Sequence, residues 1–256
     1  MVVMRRKVSV FLLVSMMAAV SFFFVSPGAR TIGADDTYDA LDILLAMKDS
    51  YSKNIESYTA VLVKGEPSLN KEMPPQKIYV KFQKPFKVYM KWVGEPYDGR
   101  ELLYVQGQNN DNFFVKPDGF IGFFVRLVKL PSTFKTDESR YTVRDFGIGN
   151  LVDGIIDITI DAQKNNDLDL HCRGIVTRNG RQMYEIERLL PRKTGYRNQR
   201  LVLYVDTATN LPVETYAYDA DGKLAEYCVY QDLTINPPME DDEFSVHNKA
   251  YGFRYL

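Results

Sequence analysis

Ile78-Tyr79-Val80-Lys81-Phe82-Gln83-Lys84-Pro85-Phe86-Lys87-Val88-Tyr89-Met90-Lys91-Trp92 reads as two strands joined by a turn. Ile78, Val80 and Phe82 alternate with Tyr79, Lys81 and Gln83, and Val88, Met90 and Trp92 alternate with Lys87, Tyr89 and Lys91. A strand sends successive side chains to opposite faces, so this period predicts one apolar face and one mixed face. Pro85 has no ladder donor and marks the break between the runs. The same period extends outward. Thr59, Val61 and Val63 alternate with Ala60, Leu62 and Lys64 before the stretch, and Leu103 and Val105 alternate with Tyr104 and Gln106 after Asp98-Gly99. Evenly spaced runs with turn residues between them predict an antiparallel meander.

The C-terminal half repeats the pattern. Residues 170–177 and 182–190 flank Asn179-Gly180, a tight-hairpin signal. Residues 201–205 and 212–218 follow, then residues 224–233 after Asp221-Gly222. Two helices are expected beside these strands. Residues 36–53 carry Leu41, Leu44, Leu45 and Lys48 at helical spacing, with Asp36 or Thr37 as cap. Residues 151–164 form the second, where Ile148, Leu151, Val152, Ile155, Ile156, Thr159 and Ile160 recur at steps of three and four. Residues 120–130 (FIGFFVRLVKL) are apolar on nearly all sides and suit strand or helix. Helices segregated on one face of an antiparallel sheet give an α+β architecture.

The chain has 256 residues, 45% hydrophobic and 25% charged, with a net charge of −1. That composition excludes disordered and fibrous classes, and near-neutral charge argues against a nucleic-acid partner. The N-terminus has the order of an export signal. Arg5, Arg6 and Lys7 precede an uncharged run over residues 8–25, and Ser26-Pro27-Gly28-Ala29 supplies small residues for cleavage. We expect a signal peptide over residues 1–29 and one domain over residues 30–256, exported and periplasmic in a two-membrane host. An uncleaved membrane anchor is the alternative, because the run is long enough to span a bilayer. Export makes a Cys172–Cys228 bridge chemically possible, although a simple meander places them on strands that are not neighbours.

Motifs for chemistry are missing. There is no G-x-S-x-G, H-E-x-x-H, phosphate loop or C-x-x-C. Gly147-Ile148-Gly149 precedes a helix, but Val152 stands where a dinucleotide turn needs its third glycine. His171 and His247 are isolated, and Glu240-Asp241-Asp242-Glu243 matches no cation cage. The expectation is a non-enzyme with no cofactor and no metal.

Lys84-Pro85-Phe86-Lys87-Val88-Tyr89-Met90-Lys91-Trp92, then Gly99-Arg100-Glu101-Leu102-Leu103-Tyr104-Val105, resembles a bacterial family catalogued as domain of unknown function 1571. Tyr58-Thr59-Ala60-Val61-Leu62-Val63-Lys64, Asp145-Phe146-Gly147-Ile148-Gly149-Asn150-Leu151 and Asn248-Lys249-Ala250-Tyr251-Gly252-Phe253 resemble further parts of it. The terminal strands, with Leu203-Tyr204-Val205-Asp206 and Leu211-Pro212-Val213, resemble the superfamily of periplasmic lipoprotein carriers LolA and LolB and the sensor domain of RseB. Met183 departs from the family at a position where cysteine is common. The resemblance implies a strongly curved antiparallel sheet, an incomplete β-barrel, with helices packed in its concave face. It implies a carrier or binder of lipid or lipoprotein acyl chains, or alternatively an envelope sensor or scaffold that binds another protein.

On that fold, Ile78, Val80, Phe82, Val88, Met90, Trp92 and Leu103 are expected to line the concavity. Phe120, Phe123, Phe124 and Leu127, beside Gly119 and Gly122, are expected to form a plug or lid. Arg100 is expected to meet a lipid head group or a helix's last carbonyls, or to pair with Glu101 at the surface. Each buried methylene contributes about 0.8 kcal/mol, so one long chain supplies roughly 10 kcal/mol gross. The expected partners are acyl chains, with an envelope protein as a further candidate, acting on a monomer.

Overall fold

Hydrogen-bonded strands run from β1 (Ser57–Gly65) through β2 (Gln76–Gln83), β3 (Lys87–Trp92), β4 (Glu101–Val105), β5 (Phe113–Lys116) and β6 (Arg126–Val128). A second series follows: β7 (Asp169–Arg178), β8 (Arg181–Leu189), β9 (Arg200–Asp206), β10 (Pro212–Tyr218) and β11 (Leu224–Ile235). The computed structural model describes residues 38–66, 74–119, 126–128, 142–193 and 195–253, with side chains of residues 126–128 not described. All of these lie in one unit, Gly33–Leu256.

Each series is a meander, and the two are joined by antiparallel pairing of β1 with β11. The result is one open, curled antiparallel sheet in the order β6-β5-β4-β3-β2-β1-β11-β10-β9-β8-β7. The Asn179-Gly180 turn has φ of 51° and 76° at its two residues. A two-residue hairpin of matching twist needs positive φ at both positions, which Asn and Gly supply.

Helix α1 (Ala40–Asn54) is capped by Asp39, whose Oδ1 accepts from Leu41 N at 2.7 Å and Asp42 N at 3.2 Å. The cap is therefore Asp39, whose carboxylate meets the first free amides; Asp36 and Thr37, the expected caps, lie outside the described residues. Its buried face is Ala40, Ile43, Leu44, Met47 and Ser50, while Leu45 is exposed. Helix α2 (Ile148–Lys164) lies between β6 and β7 in sequence. Its buried face is Ile148, Gly149, Val152, Ile155, Ile156, Thr159 and Ala162; of the residues expected from spacing, Leu151 and Ile160 lie at its edges, partly buried. Gly147 precedes it at φ 107°, and Ile148 N donates to the buried Tyr58 hydroxyl at 3.2 Å.

Among the described residues, two main cores lie on opposite sides of the sheet, and a third, small cluster joins Ala162, Leu190 and Tyr196. The larger sits under the helices and joins their faces to Tyr58, Ile78, Val80, Phe82, Val88 and Met90. The smaller lies on the outer side, where Tyr89 and Leu103 meet Tyr251 and Phe253 of the C-terminal tail. The Tyr89 and Tyr251 rings stack at 3.7 Å and 9°. Cys172 on β7 and Cys228 on β11 are both free thiols, with three strands between theirs.

Candidate functional site

The register of β2 against β3 pairs Ile78 with Trp92, Val80 with Met90 and Phe82 with Val88. Cross-strand partners share a face, so the six side chains form one apolar panel on the concave side. All are buried except Trp92, which is half-buried and donates Nε1 to Gln76 Oε1 at 2.9 Å. The panel belongs to one continuous buried cluster with Leu44 and Met47 of α1 and with Ile148, Val152, Ile155 and Ile156 of α2.

Leu103 corrects the expectation. It pairs with Tyr89 and packs under the C-terminal tail, on the face opposite to Val88 and Met90. Leu102, Leu103, Tyr104 and Val105 are consecutive apolar residues, so no polar alternation shows which parity points inward. Arg100 does not pair with Glu101. Its guanidinium bonds Asp118 at 3.0 and 3.2 Å and stacks 4.2 Å from the Tyr97 ring. Glu101 is instead buried on the outer side, where it accepts from the Tyr89 hydroxyl at 2.9 Å and Gly252 N at 2.8 Å. Phe120, Phe123 and Phe124 lie outside the described residues. Leu127 lies on β6, whose backbone extends the sheet by pairing with β5 at Phe114. Among the described residues, those covering the concavity belong to α1 and α2.

One feature of this face was missed. A narrow crevice lies between α2 and the β7–β9 end, without room for a water molecule. Leu44, Ile155, Leu170, Ile186, Leu201 and Leu203 line it, together with Thr159 and Arg188. Arg188 is buried on β8 between its cross-strand partners Leu170 and Leu201. Its Nη1 donates to Ile155 O and Thr159 Oγ1, both at 2.9 Å, and its Nε has no partner. Burial brings its pKa down to about 10, so it remains a cation at neutral pH. The sequence did carry a signal: Tyr184, Ile186 and Arg188 share one strand parity, which sets a guanidinium among inward side chains. Among the described residues no group of three metal-ligating side chains occurs.

The chain matches the family described as a protein of unknown function (DUF1571) over residues 55–253. It belongs to the DUF1571 family. A LolA superfamily protein from Nitrosomonas europaea is 13% identical, with 81% of this DUF1571 chain and 98% of that one covered, at a TM-score of 0.37. The lipoprotein LppX of Mycobacterium tuberculosis is 14% identical, with 79% and 99% covered, at 0.43. MucB is 15% identical, with 80% of this chain but 62% of its own covered, at 0.49. No functionally curated protein matches. Among the described residues, no helix of this DUF1571 protein is long and apolar enough to cross a membrane.

Proposed function

We propose that this DUF1571 protein is an exported envelope protein that binds lipid or lipoprotein acyl chains against the concave face of its sheet. It acts as a binder and not as a catalyst, after cleavage of a signal peptide near residue 29. The observation that carries the reading is the character of the helix–sheet interface. Ile155, Leu44, Ile186 and Leu203 meet across it in aliphatic contact. Apolar contact is non-directional, so an alkyl chain can replace a helix face with little change in the area hidden from water. Among the described residues, α1 is tied down by polar links: Ser50 Oγ donates to Thr209 O, Lys84 Nζ to Tyr51 O and Ser52 O, and Asn236 Nδ2 to Asn54 O. Helix α2 is held to the sheet by the Tyr58 hydroxyl at Ile148 N and by Arg188 at Ile155 O and Thr159 Oγ1. Helix α2 therefore forms the movable cover, and a chain enters as it shifts outward.

Native mass spectrometry with lipid extraction, on protein purified from its own envelope, tests this. Discrete lipid masses bound to a chain shortened near residue 29 are expected. A ligand-free mass with a co-purifying protein would overturn the lipid reading in favour of a protein-binding scaffold.

A further inference from the structure

Arg188 stands apart from the arginines whose carboxylate partners are seen. Arg100, Arg144, Arg173, Arg178, Arg181, Arg192 and Arg200 each pair with a carboxylate. Arg188 is more deeply buried than these and pairs with none, although removing a guanidinium from water without a counter-charge is unfavourable. Its two acceptors do not require it. Ile155 O already accepts from the Thr159 hydroxyl at 2.7 Å, within a helix that supplies its own amide bond. Both bonds come from Nη1, and the Nε edge of the guanidinium is without a partner. That edge is the fork that meets the two oxygens of a carboxylate. The surrounding wall is six aliphatic side chains, so a purely hydrophilic anion would lose its hydration with nothing in return.

We infer that Arg188 anchors the carboxylate of a fatty acid whose alkyl chain takes the place of α2's buried face against the sheet as that helix shifts, a step that rests on the acyl-chain reading above. A carboxylate balances one guanidinium charge for charge. A phosphate monoester brings a third oxygen and added charge, and the only other polar lining group, Thr159, is already bonded twice. The carboxylate takes the Nε edge while Nη1 keeps its hold on α2, so ligand and cover share one cation.

The test uses the delipidated full chain and four probes: dodecanoate, dodecanol, dodecyl phosphate and acetate, followed by titration calorimetry and thermal shift. Dodecanoate should bind about tenfold or more tightly than dodecanol, the factor that one added charge-assisted hydrogen bond of ~1.4 kcal/mol represents. Acetate should have no effect. In Arg188→Met the acid should lose its advantage while the alcohol binds as before; Arg188→Lys should restore part of the advantage. Equal binding of acid and alcohol by the unmodified protein would overturn the anchor and leave the acyl-chain reading intact. Binding of neither would overturn both. Thermal stabilisation by acetate equal to that by dodecanoate would reassign the site to small anions, and tighter binding of dodecyl phosphate would overturn the carboxylate assignment. The comparison on the unmodified protein decides the matter even if both variants fail to fold.

Discussion

Replacing Arg188 with methionine should make the ligand-free protein more stable. The side chain is 5% exposed and lies between Leu170 and Leu201 under α2. Burial brings its pKa down to about 10. That displacement corresponds to roughly 3 kcal/mol against the charged form in the folded state. For a cation whose folded pKa is depressed, the penalty is complete below about pH 10, neutral pH included. It is relieved only as pH rises through that value. Methionine fills a similar length with no charge, and the two hydrogen bonds from Nη1 are lost. Those bonds offset part of the gain, but neither acceptor is orphaned, since the Thr159 hydroxyl still bonds Ile155 O. The net expectation is a gain of about 1–2 kcal/mol, inside the range seen when buried ionic groups give way to apolar ones. A chain of this length then gains about 2–8 °C in melting temperature.

The assay is urea unfolding of delipidated protein at pH 7, monitored by circular dichroism and paired with calorimetry. Unchanged slope with a higher midpoint would report stability alone. Equal or lower stability of Arg188→Met would refute the reasoning, because it would make the guanidinium a net structural support for α2. Its charge would then need no ligand to explain it.

Leu103→Ala should cost about 2–5 kcal/mol, as for a buried leucine under the tail, yet leave acyl-chain affinity unchanged; Val80→Ala, on the concave side, should change both, as urea unfolding and calorimetry will show. Gly149→Ala would set a Cβ 2.6 Å from Tyr51 Cζ and 2.7 Å from its hydroxyl, so overpacking of about 1–3 kcal/mol should exceed the ~1 kcal/mol gained in helix propensity, giving lower stability in urea. Burial alone would raise the Glu243 carboxyl, but the Lys81 ammonium and Tyr251 hydroxyl bring it below its usual range. Its contribution is therefore complete above the ordinary carboxylate pKa and lost as pH falls through the folded value. Glu243→Gln should cost on the order of 1 kcal/mol at pH 7, with the difference from the unmodified protein shrinking as pH falls through the lowered value in stability measured against pH.

Strand existence and helix faces were legible because each rests on local period. Ile78, Val80 and Phe82 against Lys77, Tyr79 and Lys81 show one inward parity, and α2 shows most of its buried face by spacing. Legibility ended where both parities are apolar. On β4 the outer side is as greasy as the inner, because Tyr251 and Phe253 return from the far end of the chain to cover it. No local rule foresees a partner that lies about 150 residues away, as Glu101 meeting Gly252 does. The four-residue strand β5 escaped for a related reason: Phe113 and Val115 face one core while Phe114 packs against the other, so no alternation marks it. Arg188 was readable as an anomaly only once the strand register fixed which side Ile186 faces.

The two faces of the sheet divide the work of holding shape and changing it. On the outer side the contacts are directional. Glu187 accepts from Arg173 and Arg200, Glu214 from Arg178 and Tyr216, and Glu243 from Lys81 and Tyr251. Such bonds lose their value when a strand slips, so they fix register and curl. On the inner side the helices rest mainly on aliphatic side chains, whose attraction depends on area and barely on orientation. A sheet fixed from outside can exchange its inner cover without losing its own geometry. The buried guanidinium lies at that exchangeable boundary, bonded to the cover by one nitrogen and open along another edge. If the cover were permanent, nothing would favour an unpaired charge there over a leucine like its neighbours, whereas a cover that lifts to admit a carboxylate gives the charge its counterpart.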